Sequence, residues 1–167
     1  SDVEKMANHA NMVDGFLTIQ FLMKDGQPYY LETMRRCLGN FHFKCISKDC
    51  GINLYDLFIL TEAGEDCTTL LTNKRKTGLM SGFIGIYADC NGIIESIDID
   101  EKLENKVFDK MLLLTAGDRV ENYLNDKIGM LWFSFNHKNE REWFIENRRN
   151  LIKVLIKKEG KNHDIIT

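Results

Sequence analysis

Gln20, Glu32, Arg35 and Arg36 are the residues of this chain whose types and spacing could do chemistry together. They lie within GFLTIQFLMKDGQPYYLETMRRCLGN (Gly15–Asn40), where two alternating apolar runs flank a Lys-Asp-Gly turn. Each run carries one oxygen side chain able to bind a hard cation, Gln20 on the first and Glu32 on the second. Such oxygens suit Mg²⁺, which takes one or two protein carboxylates and fills its shell with phosphates and water. The two arginines just past Glu32 could grip those phosphates with forked hydrogen bonds.

Whether the pair can act together depends on strand parity. Side chains alternate between faces, so Leu17, Ile19, Phe21 and Met23 share one face and Phe16, Thr18, Gln20 and Leu22 the other. An odd-numbered hairpin loop puts Gln20 opposite or diagonal to Glu32, ~5–8 Å away. It also brings Tyr30 to their face and Tyr29 and Leu31 to the apolar one. A two-residue Asp-Gly turn, which that dipeptide favours, sends Gln20 and Glu32 to opposite faces. By spacing alone, an ordinary solvated hairpin face explains these residues as well.

The pattern G-F-x-x-x-Q-F, a short turn, then Y-Y-L-E-x-x-R-R resembles the penultimate and last active-site strands of ATP-grasp ligases, a family that includes biotin carboxylase and the large chain of carbamoyl phosphate synthetase. The resemblance implies that Gln20 and Glu32 are ligands of the Mg²⁺ that accompanies ATP, and that Arg36, with Arg35, holds phosphate or a carboxylate substrate. The family's last strand usually reads E-x-N-x-R. Here Met34 stands at the Asn position, and a thioether is a poor ligand for a hard cation. Arg35 stands where Pro is common. Leu38-Gly39-Asn40 could turn Asn40 back toward the metal. The helix expected from Ile52 to Ala63-Gly64, capped by Asn53 and presenting Leu54, Leu57, Phe58 and Thr61 on one face, resembles the helix after the last catalytic strand. Gly82–Ile97 and Gly117–Phe135 resemble the β-rich extension many of these ligases carry. No Gly-rich phosphate loop precedes Gly15, so the resemblance implies the C-terminal portion of a longer enzyme, inactive alone.

Composition is compatible with this and excludes other classes. The 167 residues are 44% hydrophobic and carry a formal net charge of −3. That is enough apolar material for a packed core and no electrostatic footprint for nucleic acid. Lys74-Arg75-Lys76 reads as a solvated loop. No apolar run reaches the ~20 residues of a membrane-spanning helix. Five cysteines without a C-x-x-C pair fit reduced thiols in the cytoplasm. His42, Cys45 and Cys50 are near enough in sequence for zinc but lack a fourth ligand. His9, His137 and His163 are isolated.

The remaining pattern supplies the elements. Asp2–Met12 reads as a helix with Met6, Ala10 and Val13 inward, Phe41–Asp49 as an extended connection, and Glu65–Leu71 as a short strand. Phe83–Ala88 and Ile93–Ile99 read as strands joined through Asn91-Gly92, a hairpin signal. Val107–Leu114 is a further strand, Ala116-Gly117-Asp118 a turn, and Ile128–Phe135 the most buried strand. A final helix follows Asn136, capped by Asn139, with Trp143, Phe144, Leu151, Ile152, Leu155 and Ile156 as its apolar stripe.

The expected fold is therefore α+β: part of an ATP-grasp antiparallel sheet with flanking helices (1–73), followed by a small β-rich domain closed by a C-terminal helix (74–167). The expected function is that of an ATP-dependent, Mg²⁺-dependent carboxylate–amine or carboxylate–thiol ligase, with ATP and a small carboxylate as partners. Two other readings stand beside it. One is a non-catalytic binding module that kept the strand pattern and lost a ligand, as Met34 favours. The other is an oligomerisation domain whose β-rich half packs on a second copy.

Overall fold

The computed structural model describes residues 2–13, 15–39, 41–72 and 77–157. Asn40, the Lys74–Lys76 cluster and the segment after Lys157 lie outside them. The chain divides into two compact units, Ser1–Thr77 and Gly78–Thr167.

In the first unit, α1 (Asp2–His9) precedes strands β1 (Thr18–Lys24) and β2 (Gln27–Met34), which form a two-stranded antiparallel sheet. Ala10 and Val13, expected to face inward, are exposed, because α1 ends at His9 and both lie beyond it. Helices α2 (His42–Cys50), α3 (Leu54–Glu62) and α4 (Thr68–Thr72) follow. The connection expected over Phe41–Asp49 is thus helical. Its two buried residues, Phe43 and Cys45, are two positions apart and hide the 3.6-residue period. The strand expected over Glu65–Leu71 is also replaced by helix. Asp66 Oδ1 accepts the Thr68 backbone N–H at 2.9 Å and starts α4. The α3 expectation holds: Asn53 Oδ1 accepts from the Tyr55 N–H at 3.1 Å, and Gly64 takes the left-handed conformation just past the helix.

The second unit is a β-sandwich. β3 (Met80–Ile86), β7 (Gly129–Phe135) and β5 (Val107–Leu112) form one sheet in the order β3-β7-β5. β6 (Arg119–Val120), β4 (Gly92–Ile99) and β8 (Ile152–Lys157) form the other, ordered β6-β4-β8. All pairings are antiparallel. α5 (Glu101–Glu104) and α6 (Lys138–Leu151) complete the unit. The core gathers Ile86, Ile94, Leu103, Val120, Leu131, Phe133, Phe135 and Phe144. β7 is buried along nearly its whole length, as its unbroken apolar run predicts, and Trp132 is 0% exposed.

Three local expectations change here. Asn91-Gly92 does not close a hairpin, because β3 and β4 belong to different sheets. The final helix is held at its start by Glu140, not Asn139. The Glu140 carboxylate accepts the backbone N–H groups of Asn136 (3.2 Å) and His137 (3.3 Å). The stripe attributed to that helix stops at Leu151. Ile152, Val154 and Ile156 alternate inward on β8, opposite Ile99, Ile97 and Ile94 of β4.

Candidate functional site

Phe16 anchors the base of the hairpin. Its ring lies 5.4 Å from Phe43 of α2, tilted, and 5.5 Å from Phe58 of α3, edge to face, the latter a favoured geometry for aromatic pairs. Ser47 Oγ accepts the Leu54 N–H at 3.0 Å and joins the two helices. β1 therefore leaves from a packed platform.

At the far end, Asp25 and Gly26 form a two-residue turn with both φ angles positive (52° and 76°), the geometry that suits the twist of a tight hairpin. From that turn the register runs Lys24–Gln27, Met23–Pro28, Leu22–Tyr29 and Phe21–Tyr30. Continued unchanged, it would put Leu31 opposite Gln20 and send Glu32 to the other face. It does not continue. A register shift at Gln20/Phe21 leaves Leu31 as the extra residue, and the pairs become Gln20–Glu32, Ile19–Thr33 and Thr18–Met34. This is a β-bulge, two residues on one strand set against one on the other. Cross-strand partners share a face, so Gln20 and Glu32 project together. The tight turn expected to separate them is present, and the bulge cancels its effect.

The aromatic placement differs from expectation for the same reason. Tyr30 sits opposite Phe21, with ring centroids 6.4 Å apart, on the face away from Glu32. Tyr29, opposite Leu22, shares the Gln20 side.

Gln20, Glu32, Arg35 and Arg36 are all exposed. One carboxylate and one amide oxygen side by side in solvent fit a Mg²⁺ ion whose other ligands are water and phosphate. Among the described residues, no three His, Cys, Asp or Glu side chains converge as a metal site. His42, Cys45 and Cys50 accordingly do not assemble. Burial, with the charge of Asp49 second, pushes the Cys45 thiol up to about 11, so it stays protonated at neutral pH.

The arginines part company. Arg35 Nη1 donates to the Val13 carbonyl at 2.6 Å, and its guanidinium occupies the space a Cβ on Gly15 would need. Arg36 Nη1 donates to the adjacent Cys37 carbonyl at 3.2 Å. Met34, in the position where an Asn was expected from the resemblance, is half-buried opposite Thr18. Thr18 Oγ1 donates to the Arg36 carbonyl at 2.9 Å. In the sequence pattern Thr18, Gly15 and Leu31 carry no part in setting the register; the pairing at the base of the hairpin gives them one. Five residues run from Gln20 through Lys24 and six from Gln27 through Glu32, so with a two-residue turn Gln20 can oppose Glu32 only if one residue is left unmatched.

In sequence, no protein family and no curated protein matches the chain. Solved structures do. Phosphoribosylglycinamide synthetase from Anaerococcus prevotii superposes with a TM-score of 0.74 at 16% identity, over 93% of this chain and 40% of that one. L-amino acid ligase from Bacillus licheniformis does so with a TM-score of 0.74 at 19% identity, over 94% and 41%. The fold is that of the ATP-grasp ligases. The chain spans about 40% of the length of these two ATP-grasp enzymes.

Proposed function

We propose that this chain forms the Mg²⁺- and phosphate-contacting part of an ATP-dependent carboxylate ligase and is inactive without further polypeptide to cover the nucleotide. The observation that carries this reading is the Gln20–Glu32 pair, restored to one face by the bulge at Leu31. The ATP-grasp fold supports it.

In such a reaction the substrate carboxylate oxygen attacks the γ-phosphorus of ATP. The bond from that phosphorus to the β,γ-bridging oxygen breaks, ADP leaves, and an acyl phosphate remains for an amine or thiol to displace. Bound Mg²⁺ neutralises charge on the transferring phosphoryl group. Glu32 contributes the carboxylate and Gln20 the amide oxygen that would hold the ion. Arg36, exposed and with its Nη1 on the neighbouring Cys37 carbonyl, is the guanidinium we assign to phosphate or substrate carboxylate. Arg35 donates to the Val13 carbonyl and is assigned neither phosphate nor carboxylate.

The test is ADP release by the longer protein that carries this chain, measured against a panel of carboxylates. Glu32→Gln is expected to lower kcat by ~100-fold or more, the scale of losing a charge-stabilising group in the transition state. It should leave the fold intact, because the position is exposed. Near-normal kinetics in that variant would remove Glu32 from the site. Absence of ADP release in the unaltered protein would favour the non-catalytic binding module instead, which half-buried Met34 also favours.

A further inference from the structure

The two ends of the β1–β2 hairpin demand different registers. At the tip, the Asp25-Gly26 turn fixes pairs such as Lys24–Gln27 and Phe21–Tyr30. At the base the pairs are Ile19–Thr33 and Thr18–Met34, one residue out of step, and Leu31 absorbs the difference. A bulge disrupts the local ladder and leaves one residue unpaired. Uniform pairing with the same turn would avoid that. Something at the base must therefore hold the shifted register.

The contacts there are specific. Thr18 Oγ1 donates to the Arg36 carbonyl at 2.9 Å, tying the first residue of β1 to the segment leaving β2. Arg35 Nη1 donates to the Val13 carbonyl at 2.6 Å, tying that same segment to the approach to β1. The Arg35 guanidinium lies where only glycine leaves room, over Gly15, whose φ of 147° also favours glycine. Phe16, packed on Phe43 and Phe58, keeps this approach from sliding.

We infer that Arg35 and Thr18 form a clasp that selects the bulged register and so places Glu32 beside Gln20. Arg35 is thus a positioning residue, not a phosphate ligand. Without the clasp, the tip register propagates down the hairpin. Gln20 then faces Leu31, Ile19 faces Glu32, and the two oxygen side chains part. The functional meaning of the clasp rests on the proposed metal role of Gln20 and Glu32; its structural claim does not.

The experiment reads register directly, from cross-strand nuclear Overhauser contacts in the isotopically labelled chain without metal, and then titrates Mn²⁺. Unaltered protein should show Gln20–Glu32 contacts. The Arg35→Ala/Thr18→Val double variant, and separately Gly15→Ala, which pushes the guanidinium aside, should lose them and gain Gln20–Leu31. Thr18→Ser, which keeps the hydroxyl, should retain the original set. Mn²⁺ affinity at the pair should fall ~10-fold or more with the register change. Deleting Leu31 supplies the control. It removes the mismatch, so Gln20 and Glu32 stay opposed whether or not the clasp is present.

Retention of Gln20–Glu32 contacts in both the double variant and Gly15→Ala would overturn the inference. So would loss of the hairpin on clasp removal in the Leu31-deleted chain, which would make these residues general supports. A register that follows the clasp while Mn²⁺ binds elsewhere would uphold the clasp and refute the metal reading. Mn²⁺ bound at the pair with a register indifferent to the clasp would do the reverse.

Discussion

Glu32 and Gln20 are unequal partners in the proposed site. The carboxylate brings charge and the amide only a dipole, so in the proposed ligase Gln20→Ala should raise the Mg²⁺ requirement while Glu32→Gln takes the larger toll on kcat. An unchanged metal titration in Gln20→Ala would exclude it as a ligand. Two other residues make residue-scale predictions independent of that chemistry. Cys45, with its thiol pushed up to about 11 by burial, should alkylate far more slowly at pH 8 than a solvated thiol, because the thiolate is the nucleophile. Rapid labelling of Cys45 in the native protein would contradict its burial. Glu140 has its carboxyl held below the usual range, first by the hydrogen bond from Lys106 (2.7 Å) and also by the backbone N–H groups of His137 and Asn136. A depressed carboxylate contributes stability above its unfolded pKa and loses it as pH falls through the folded value. Stability below about pH 4.3, the ordinary Glu value, should therefore fall more steeply in the unaltered protein than in Glu140→Gln. Parallel acid-unfolding curves would show that the contacts at Glu140 contribute nothing.

Among the elements, legibility followed the strength of the local signal. β7 was visible because IGMLWFSF is an unbroken apolar run, and α3 because Asn53 and Gly64 mark its ends. β8 was not visible. Leu151, Ile152, Leu155 and Ile156 satisfy a helical stripe as well as Ile152, Val154 and Ile156 satisfy strand alternation, and only pairing with β4 decides. α2 and α4 were missed because Phe43 and Cys45 lack helical spacing and Thr-Thr-Leu-Leu carries strand propensity. Asn91-Gly92 read as a hairpin because local turn chemistry says nothing about which sheet the next strand joins. For the candidate site, the residue types were legible, but their geometry hung on one unmatched residue in the hairpin. In the second unit, α6 is held onto β7 chiefly by Phe144, whose ring lies 4.3 Å from Phe133 and 5.5 Å from Phe135. Phe144→Ala should cost ~3–5 kcal/mol of that unit's stability in denaturant unfolding. A loss under about 1 kcal/mol would mean that the helix docks by other contacts.

At the scale of the molecule the two units differ in how they bury apolar surface. The sandwich encloses a continuous core. The hairpin is a two-stranded ribbon with Phe21, Met23 and Leu31 at 47%, 61% and 56% exposure, and a ribbon of two strands is marginal by itself. No described helix is long and apolar enough to cross a membrane. Amide exchange should accordingly be slowest in β7 and fast in β1 and β2. The most direct test of the whole account uses Mn²⁺, which shares the preference of Mg²⁺ for carboxylate, carbonyl and water oxygens, as a paramagnetic probe on the labelled chain. The account predicts line broadening centred on Gln20 and Glu32 together, lost in Glu32→Gln. Broadening centred elsewhere, or undiminished in that variant, would contradict it.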